Sequence, residues 1–297
     1  MKPAIFFVTP GAEHLAPAFR AAGLAQGTCE FRKFPDRESC VRILDDVAGR
    51  CVVLVSALND PDQRLMSVLL AAGAARAHGA REVGLAIGYL PYMRQDIAFQ
   101  QGEPVSAVHF ARILSQFADW IVTMDPHLHR FGSLGEVFGH VPARRVTAVP
   151  AISDWIISAF TRPLIIGPDS ESGQWVNAIA ERTGAPALVL EKTRTGDRSV
   201  RINLPEVGPY GDHQPVIVDD IVSTGTTMAK LVSGLRTKGF RPPVCCCVHA
   251  LFVEGAQQKL LEAGAVQIAS CDTVSHPSNR IGIGKLLAEA VQASLGR

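Results

Sequence analysis

Two adjacent carboxylates followed by a hydroxyl-rich turn form the stretch of this sequence that is best suited to chemistry. The carboxylates are Asp219 and Asp220, and residues 223–227 read Ser-Thr-Gly-Thr-Thr. An apolar run precedes them and apolar residues at helical spacing follow over 228–235, which predicts a strand, a loop and a helix. The N–H groups and the dipole at a helix N-terminus favour a phosphate. Because carboxylates repel a phosphate, we expect the aspartates to bind sugar hydroxyls or magnesium, so the stretch predicts a phosphorylated pentose site.

Further polar segments follow other predicted strands, at the ends where α/β proteins collect their ligands. They are the loop 88–96 with Arg94 and Gln95, the string 123–129 with His127, the turn 167–172 with Asp169, and the pair Lys192 and Arg194. An arginine suits phosphate oxygens, and a glutamine offers a donor and an acceptor. Taken singly, each segment has an ordinary structural alternative: a solvated loop, a surface histidine, an Asx turn or a solvated basic face.

Alternating strands and helices must position these segments. Apolar runs predict strands at 4–8, 51–56, 82–87, 120–123, 164–166, 187–190, 215–218, 244–248 and 266–270, and a closing helix over 283–295. This alternation is typical of an α/β fold with mainly parallel sheets flanked by helices. A chain of 297 residues favours two domains, and prolines near 142–150 place their boundary, giving domains 1–146 and 147–297.

Composition excludes several classes of function. Hydrophobic residues make up 47% of the chain, and the net charge of +1 gives no basic field for nucleic acid or a membrane surface. No apolar run approaches the roughly 18 residues of a membrane span. The seven cysteines lack C-x-x-C spacing and indicate core residues of a reducing compartment, so we expect a cytoplasmic protein. No Walker-type string is present to hold a nucleotide.

The string at 219–227 resembles the phosphoribosyl-diphosphate loop shared by type I phosphoribosyltransferases and ribose-phosphate diphosphokinases, and alone it does not choose between them. The strings P-Y-x-R-Q-D at 91–96 and P-V-S-A at 104–107 resemble the diphosphokinases, whereas type I transferases generally lack this segment. The same family is matched, in the same order along the chain, by T-x-D-x-H at 123–127, Asp169 and K-x-R at 192–194. The resemblance covers about residues 4–275 and implies two similar phosphoribosyltransferase-type domains.

The resemblance implies a ribose-phosphate diphosphokinase, which transfers the β,γ-diphosphoryl group of ATP to O1 of ribose 5-phosphate with Mg²⁺ as cofactor. Site residues are implied as follows: Phe34, Asp36, Glu38, Arg94, Gln95 and His127 for ATP; Asp219, Asp220, Ser223, Thr224, Gly225, Thr226 and Thr227 for ribose 5-phosphate; His127 and Asp169 for the metal; Lys192 and Arg194 on a mobile flap for charge in the transition state. In the family the segment matching 34–38 reaches into a neighbouring subunit, which implies a homo-oligomer.

The sequence departs from the family pattern at several positions. Ser223 stands where aspartate is usual and Thr226 where glycine is common, which affects affinity more than reaction type. The segment 97–103 lacks the basic residues of the family's regulatory site, and Ala48 stands where arginine is usual, which argues against inhibition by ADP.

Two alternatives to the diphosphokinase stay open. A type I phosphoribosyltransferase would consume phosphoribosyl diphosphate, and the Arg94-Gln95-Asp96 loop and the doubled domain argue against it. A non-catalytic regulatory subunit would keep the fold of the family without its activity. The presence of Lys192 and Arg194 argues against that alternative, because a binding protein does not need them.

Overall fold

A computed structural model shows two compact units of α/β architecture. It describes residues 2–190, 192–194, 200–202, 206–253 and 255–295, with the backbone alone at 192–194 and 200–202. Unit 1 comprises Met1–Thr147, Asp272–Ser275 and Ile283–Arg297, and unit 2 comprises Ala148–Cys271 and His276–Gly282. In the described part of the chain, no helix combines the length and the apolarity that crossing a bilayer requires.

Unit 1 is built on a six-stranded parallel sheet. Its elements up to residue 147 are β1 (Ile5–Val8), α1 (Ala16–Ala21), β2 (Ala25–Gln26), β3 (Cys29–Lys33), β4 (Ser39–Ile43), β5 (Cys51–Ser56), α2 (Pro61–Ala77), β6 (Glu82–Ile87), α3 (Ser106–Ser115), β7 (Trp120–Met124), α4 (Leu134–Phe138) and β8 (Ala143–Val146). The strand order is β2-β1-β5-β6-β7-β8, with parallel pairing throughout. Every residue of β5 is buried, as its continuous apolar run predicts.

The strands β3 and β4 form a separate antiparallel hairpin in unit 1. Cys29 pairs with Ile43 and Lys33 with Ser39, so the turn at 34–38 is the tip of the hairpin. The strand β4 packs against α2, which anchors the base of the hairpin while the tip stays in solvent.

Unit 2 repeats the parallel plan. Its elements are α5 (Val149–Ala159), β9 (Pro163–Gly167), α6 (Gly173–Thr183), β10 (Ala187–Val189), β11 (Lys192–Arg194), β12 (Val200–Ile202), β13 (Gln214–Val222), α7 (Thr226–Thr237), β14 (Val244–Ala250), α8 (Ala256–Glu262), β15 (Gln267–Cys271) and β16 (Asn279–Ile281). The strand order is β10-β9-β13-β14-β15-β16, again with parallel pairing, and β11 and β12 form a separate antiparallel pair. The predicted fold class, with parallel sheets flanked by helices, is confirmed.

Five of the seven cysteines are buried, four of them in unit 2 and Cys51 in unit 1, whereas Cys29 and Cys40 are half-buried. Cys245, Cys246 and Cys247 are consecutive buried residues of β14, and all seven cysteines of the chain are free thiols. Burial raises the pKa of Cys245 and of Cys246 to about 12, so both stay protonated at neutral pH and pack as small apolar groups.

The last helix, α9 (Gly284–Leu295), belongs to unit 1, whereas the sequence places residues 147–297 together in the second domain. The helix packs against α1 and contacts β6, β7 and β8. Its approach to α1 is so close that a Cβ at Gly284 would stand 2.6 Å from the Ala18 methyl carbon. The apolar face of α9, which includes Leu287 and Val291, is buried, but its spacing alone does not specify which sheet covers it.

Candidate active site

The paired carboxylates of unit 2 lie inside β13 rather than beyond its end. The strand continues to Val222, with Asp219 opposite Cys247 on β14. Asp219 Oδ1 accepts the backbone N–H of Asp220 at 3.0 Å, and Asp220 Oδ1 accepts that of Ile221 at 2.7 Å. The predicted end of the strand at Val218 is therefore too early, because the pairing with β14 outweighs the low strand propensity of aspartate. The two Oδ1 hydrogen bonds fix the orientation of both carboxylates.

The hydroxyl-rich loop (223–227) leads from β13 into α7 through Gly225. This glycine has φ +68°, and a Cβ there would meet the Ala256 Cβ and carbonyl oxygen at 3.3 Å. The helical bonds begin where the Ala229 N–H reaches the Gly225 carbonyl at 2.8 Å. No described residue accepts the N–H groups of Gly225, Thr226 or Thr227. These donors lie at a helix N-terminus, which is the arrangement that binds a phosphate.

Asp169 follows β9, the neighbour of β13 in the sheet. Its Oδ1 accepts the Ser172 N–H at 3.2 Å, and Ser172 Oγ donates back to the Asp169 carbonyl at 2.6 Å. The turn that Asp169 caps, Ser170–Ser172, contacts β13. Capping this turn is an ordinary structural role for an aspartate. It also holds the Asp169 carboxylate at the edge of the sheet that carries Asp219 and Asp220.

The predicted flap residues lie largely outside the described part of the chain. The backbone of Lys192 and Arg194 runs in β11 and pairs with Ile202 and Val200 of β12. Their side chains are not described. The roles of these two cations stay predictions.

In unit 1, the loop after β6 presents Arg94 and Gln95 to solvent. Gln95 is held by its N–H, which donates to the Tyr92 carbonyl at 3.0 Å, and by its side-chain oxygen, which accepts from the Ser106 hydroxyl. Tyr92 has φ +64° and its hydroxyl donates to Asp62 at 2.5 Å, a bond that raises the pKa of Tyr92. Arg94 makes no hydrogen bond or ion pair with the described residues, which leaves its guanidinium available to an anion.

The loop after β7, the neighbour of β6, carries His127. His127 Nδ1 and His129 Nε2 are 3.0 Å apart, so one ring donates to the other and sets its orientation. The turn is held by buried Asp125, whose Oδ1 accepts from Arg145 Nη2 at 3.0 Å and whose backbone has φ +28°. Asp125 is thus a structural residue that supports the turn.

The side chains of Phe34, Asp36 and Glu38 lie at the exposed hairpin tip. Asp36 Oδ1 accepts the Glu38 N–H at 3.2 Å, and the Phe34 ring is 41% exposed with the Arg32 guanidinium 4.8 Å from its centroid. The structure places these three residues together, on a hairpin that is separate from the six-stranded sheet bearing Arg94 and His127.

Sequence reasoning missed three basic residues near these groups. Arg130 pairs with Asp96, Arg145 pairs with Asp125, and Lys259 of α8 bonds to the hydroxyl-rich loop. Arg130 could have been suspected from its place three residues after His127. Lys259 has no signal in the sequence, because it is 35 residues from its partner Thr224.

Comparisons with known proteins identify the family of each domain of the chain. A family described as the N-terminal domain of ribose phosphate pyrophosphokinase matches residues 10–117, and the phosphoribosyl transferase domain matches residues 143–284. The fold of phosphoribosylpyrophosphate synthetase from Mycobacterium smegmatis superimposes with a TM-score of 0.86 over 99% of each chain, at 24% identity. The parallel sheets and the loop at the end of β13 thus define a protein of the phosphoribosyltransferase fold class.

Two curated relatives narrow this class. The ribose-phosphate pyrophosphokinase of Methanopyrus kandleri is 34% identical over 262 residues, which cover 88% of each chain. That of Methanothermobacter thermautotrophicus is 33% identical over 264 residues, covering 89% of this chain and 90% of the relative. The chain belongs to the ribose-phosphate pyrophosphokinase family, an enzyme family, which confirms the resemblance of its motifs.

Proposed function

We propose that the chain is an active ribose-phosphate diphosphokinase that works in the cytoplasm as a homo-oligomer. The observation that carries the proposal is the end of β13, where Asp219 and Asp220 are fixed beside a loop with N–H groups that no described residue accepts. A phosphate and a sugar diol are the two groups of ribose 5-phosphate that such donors and acceptors recognise. The seven free thiols suit a reducing compartment.

In this reaction O1 of ribose 5-phosphate attacks the β-phosphorus of ATP. A bond forms between O1 and the β-phosphorus, the bond from that phosphorus to the oxygen bridging to the α-phosphorus breaks, and AMP leaves with the bridging oxygen. The proton of the 1-hydroxyl passes to solvent. Asp219 and Asp220 would accept hydrogen bonds from the ribose diol, and Gly225, Thr226 and Thr227 would donate to the 5-phosphate. Together they hold O1 in one orientation, which is the main requirement of this kind of transfer.

The residues also fit the proposed Mg²⁺. This ion prefers oxygen ligands. Asp169 follows β9, and Asp219 lies in the neighbouring strand β13 of unit 2. Mg²⁺ supplies charge neutralisation of the phosphate oxygens when bound. Asp169 is the proposed carboxylate ligand and His127 the proposed imidazole contact of the metal–nucleotide complex.

The nucleotide would bind through Arg94, Gln95 and His127 of unit 1, since Arg94 is free of described partners. Phe34, Asp36 and Glu38 would contact the adenine of an ATP bound to another copy of the chain. The exposure of the Phe34 ring supports this, because a tip in solvent is accessible to a second subunit. Lys192 and Arg194 would neutralise charge on the diphosphoryl group in the transition state, where such cations contribute most.

The test is AMP formation by the purified protein from ATP and magnesium, with ribose 5-phosphate, with ribose or with no sugar. We expect AMP only with the sugar phosphate, and ³¹P spectra that show a diphosphate joined to the pentose. Lys192→Ala should lower the rate about 100-fold or more, because it removes transition-state charge. Exposed Lys285, whose nearest described carboxylate is Glu289 at 3.9 Å, gives the matched control Lys285→Ala, which should keep the rate. Equal AMP formation with and without ribose 5-phosphate, or no AMP under any condition, would overturn the proposal.

A further inference from the structure

The ammonium group of Lys259 bonds to the hydroxyl-rich loop from a helix to which the sequence assigns no role. Its Nζ donates to the Thr224 carbonyl at 2.9 Å and lies 3.4 Å from Thr226 Oγ1. Lys259 is half-buried in α8, and the same helix supplies Ala256, which packs against Gly225. Both contacts therefore join α8 to the turn that precedes α7.

The bond to Thr224 controls the direction of the next peptide N–H. The chain has no cis peptide bond among its described residues, so the Thr224 carbonyl and the Gly225 N–H point in opposite directions across one peptide plane. With the carbonyl oxygen turned towards Lys259, the Gly225 N–H is turned away from α8. The Thr224 carbonyl oxygen, which would repel an anion, is thereby bonded to Lys259. The neighbouring Gly225 N–H stays available to donate to an anion.

The charge of Lys259 has no ion-pair partner among the described residues, although Glu262 of α8 lines the same surface depression. No carboxylate of the described residues lies within ion-pair distance of its Nζ. The positive charge of Lys259 and the N–H groups at the start of α7 consequently both attract an anion held by the loop. Lys230 of α7 lines the same surface depression as Lys259, but it is exposed and makes no described bond to the loop.

We propose that Lys259 is a positioning residue that orients the hydroxyl-rich loop and raises its affinity for the phosphate of ribose 5-phosphate. This inference rests on the proposed function. It predicts that Lys259 acts on binding of the sugar phosphate and leaves the binding of ATP unchanged.

The experiment is calorimetric titration of the full chain with ribose 5-phosphate, on the wild type and on Lys259→Met, Lys259→Arg and Lys230→Met. We expect Lys259→Met to raise the Kd by about tenfold, because a hydrogen bond from a charged donor is lost together with its charge. Lys259→Arg keeps the charge and should stay within about threefold of the wild type, and Lys230→Met should match the wild type because it makes no bond. In steady-state kinetics, Lys259→Met should raise the KM for ribose 5-phosphate without a matching change in the KM for ATP.

The outcomes separate this inference from the proposed function. If the wild type does not bind ribose 5-phosphate, the proposed function fails and the inference fails with it. If the wild type binds and Lys259→Met binds equally well, only the role of Lys259 is refuted. An equal loss of affinity for ribose 5-phosphate in Lys259→Met and Lys230→Met would show that general surface charge is responsible, and would also refute the role of Lys259. An equal rise in the KM for ribose 5-phosphate and the KM for ATP in Lys259→Met would refute it as well.

Discussion

Arg130 Nη1 lies 2.7 Å from Asp96 Oδ1 and joins the two segments of unit 1 that are proposed to bind the nucleotide. The Asp96 side chain is 1% exposed and that of Arg130 is 48% exposed, so a buried carboxylate meets a cation that reaches the surface. Asp96 is therefore occupied by a structural bond, and Arg94 and Gln95 are the residues of this string that remain open to a ligand.

Arg130→Met should destabilise unit 1 and weaken ATP binding. The change leaves the buried Asp96 carboxylate without its cation, which should lower the free energy of unfolding by about 1–3 kcal/mol. Loss of the link should also raise the KM for ATP more than that for ribose 5-phosphate. Denaturant unfolding and kinetics measure the two effects. Arg182→Met, which breaks the exposed pair with Asp154 at 3.4 Å, is the control and should cost less than about 1 kcal/mol. Equal losses in the two variants would contradict the prediction.

Asp169 offers a way to separate its cap from its proposed metal role. Asn at this position keeps an oxygen for the Ser172 N–H but carries no charge, whereas Ala removes both. Asp169→Ala should lower the free energy of unfolding by about 1 kcal/mol, and Asp169→Asn should change it little. Both variants should need more magnesium for half-maximal activity. A normal magnesium requirement in Asp169→Asn would assign this residue to the cap alone.

Gly225→Ala should strain the hydroxyl-rich loop and obstruct its contact with α8. The φ of +68° costs an L-residue about 1–2 kcal/mol, and the new Cβ would meet Ala256 at 3.3 Å. Gly184→Ala is the matched control, because Gly184 has φ +65° and open space around its Cβ position. Both variants should lose stability in thermal unfolding, but only Gly225→Ala should raise the KM for ribose 5-phosphate. A rise in both variants would show that general destabilisation, and not the loop, is responsible.

We expect the stability of unit 1 to depend on pH through the ionisation of the Asp272 carboxyl. Burial raises the pKa of this carboxyl above its ordinary value of 3.8, while the Ile283 N–H, which donates to Oδ1 at 2.7 Å, and His14 act in the opposite direction. The folded state thus holds the proton more tightly than the unfolded state, and its stability falls as pH rises from 3.8 through the raised pKa. Asp272→Asn keeps the oxygen without ionising, so its stability should equal that of the wild type below this window and exceed it above.

Urea unfolding of the wild type and Asp272→Asn across this pH range measures the difference. The advantage of Asn should grow with pH and then become constant. An advantage that shrinks as pH rises would have the wrong sign and would refute the assignment.

The sequence predicts β5 and β6 to the residue, since a buried parallel strand is a continuous apolar run with polar or turn residues at both ends. It also predicts that the segments with Arg94, His127 and Asp169 follow such strands, whereas Asp219 and Asp220 lie inside β13. The pairing of Asp219 with β14 and the contact of Lys259 with Thr224 were not predictable, since they depend on neighbours far along the chain. For the same reason the buried face of α9 could be recognised, but its place in unit 1 could not.

The position of α9 has a consequence for how the protein is made. Unit 1 begins with β1, yet the helix that packs on α1 is translated only after the whole of unit 2. A nascent chain that ends at Thr147 leaves the Ala18 side of α1 uncovered, so unit 1 cannot reach its complete packing during vectorial synthesis. Unit 2 has no such delay beyond residue 282, and it is therefore the unit that can be finished first.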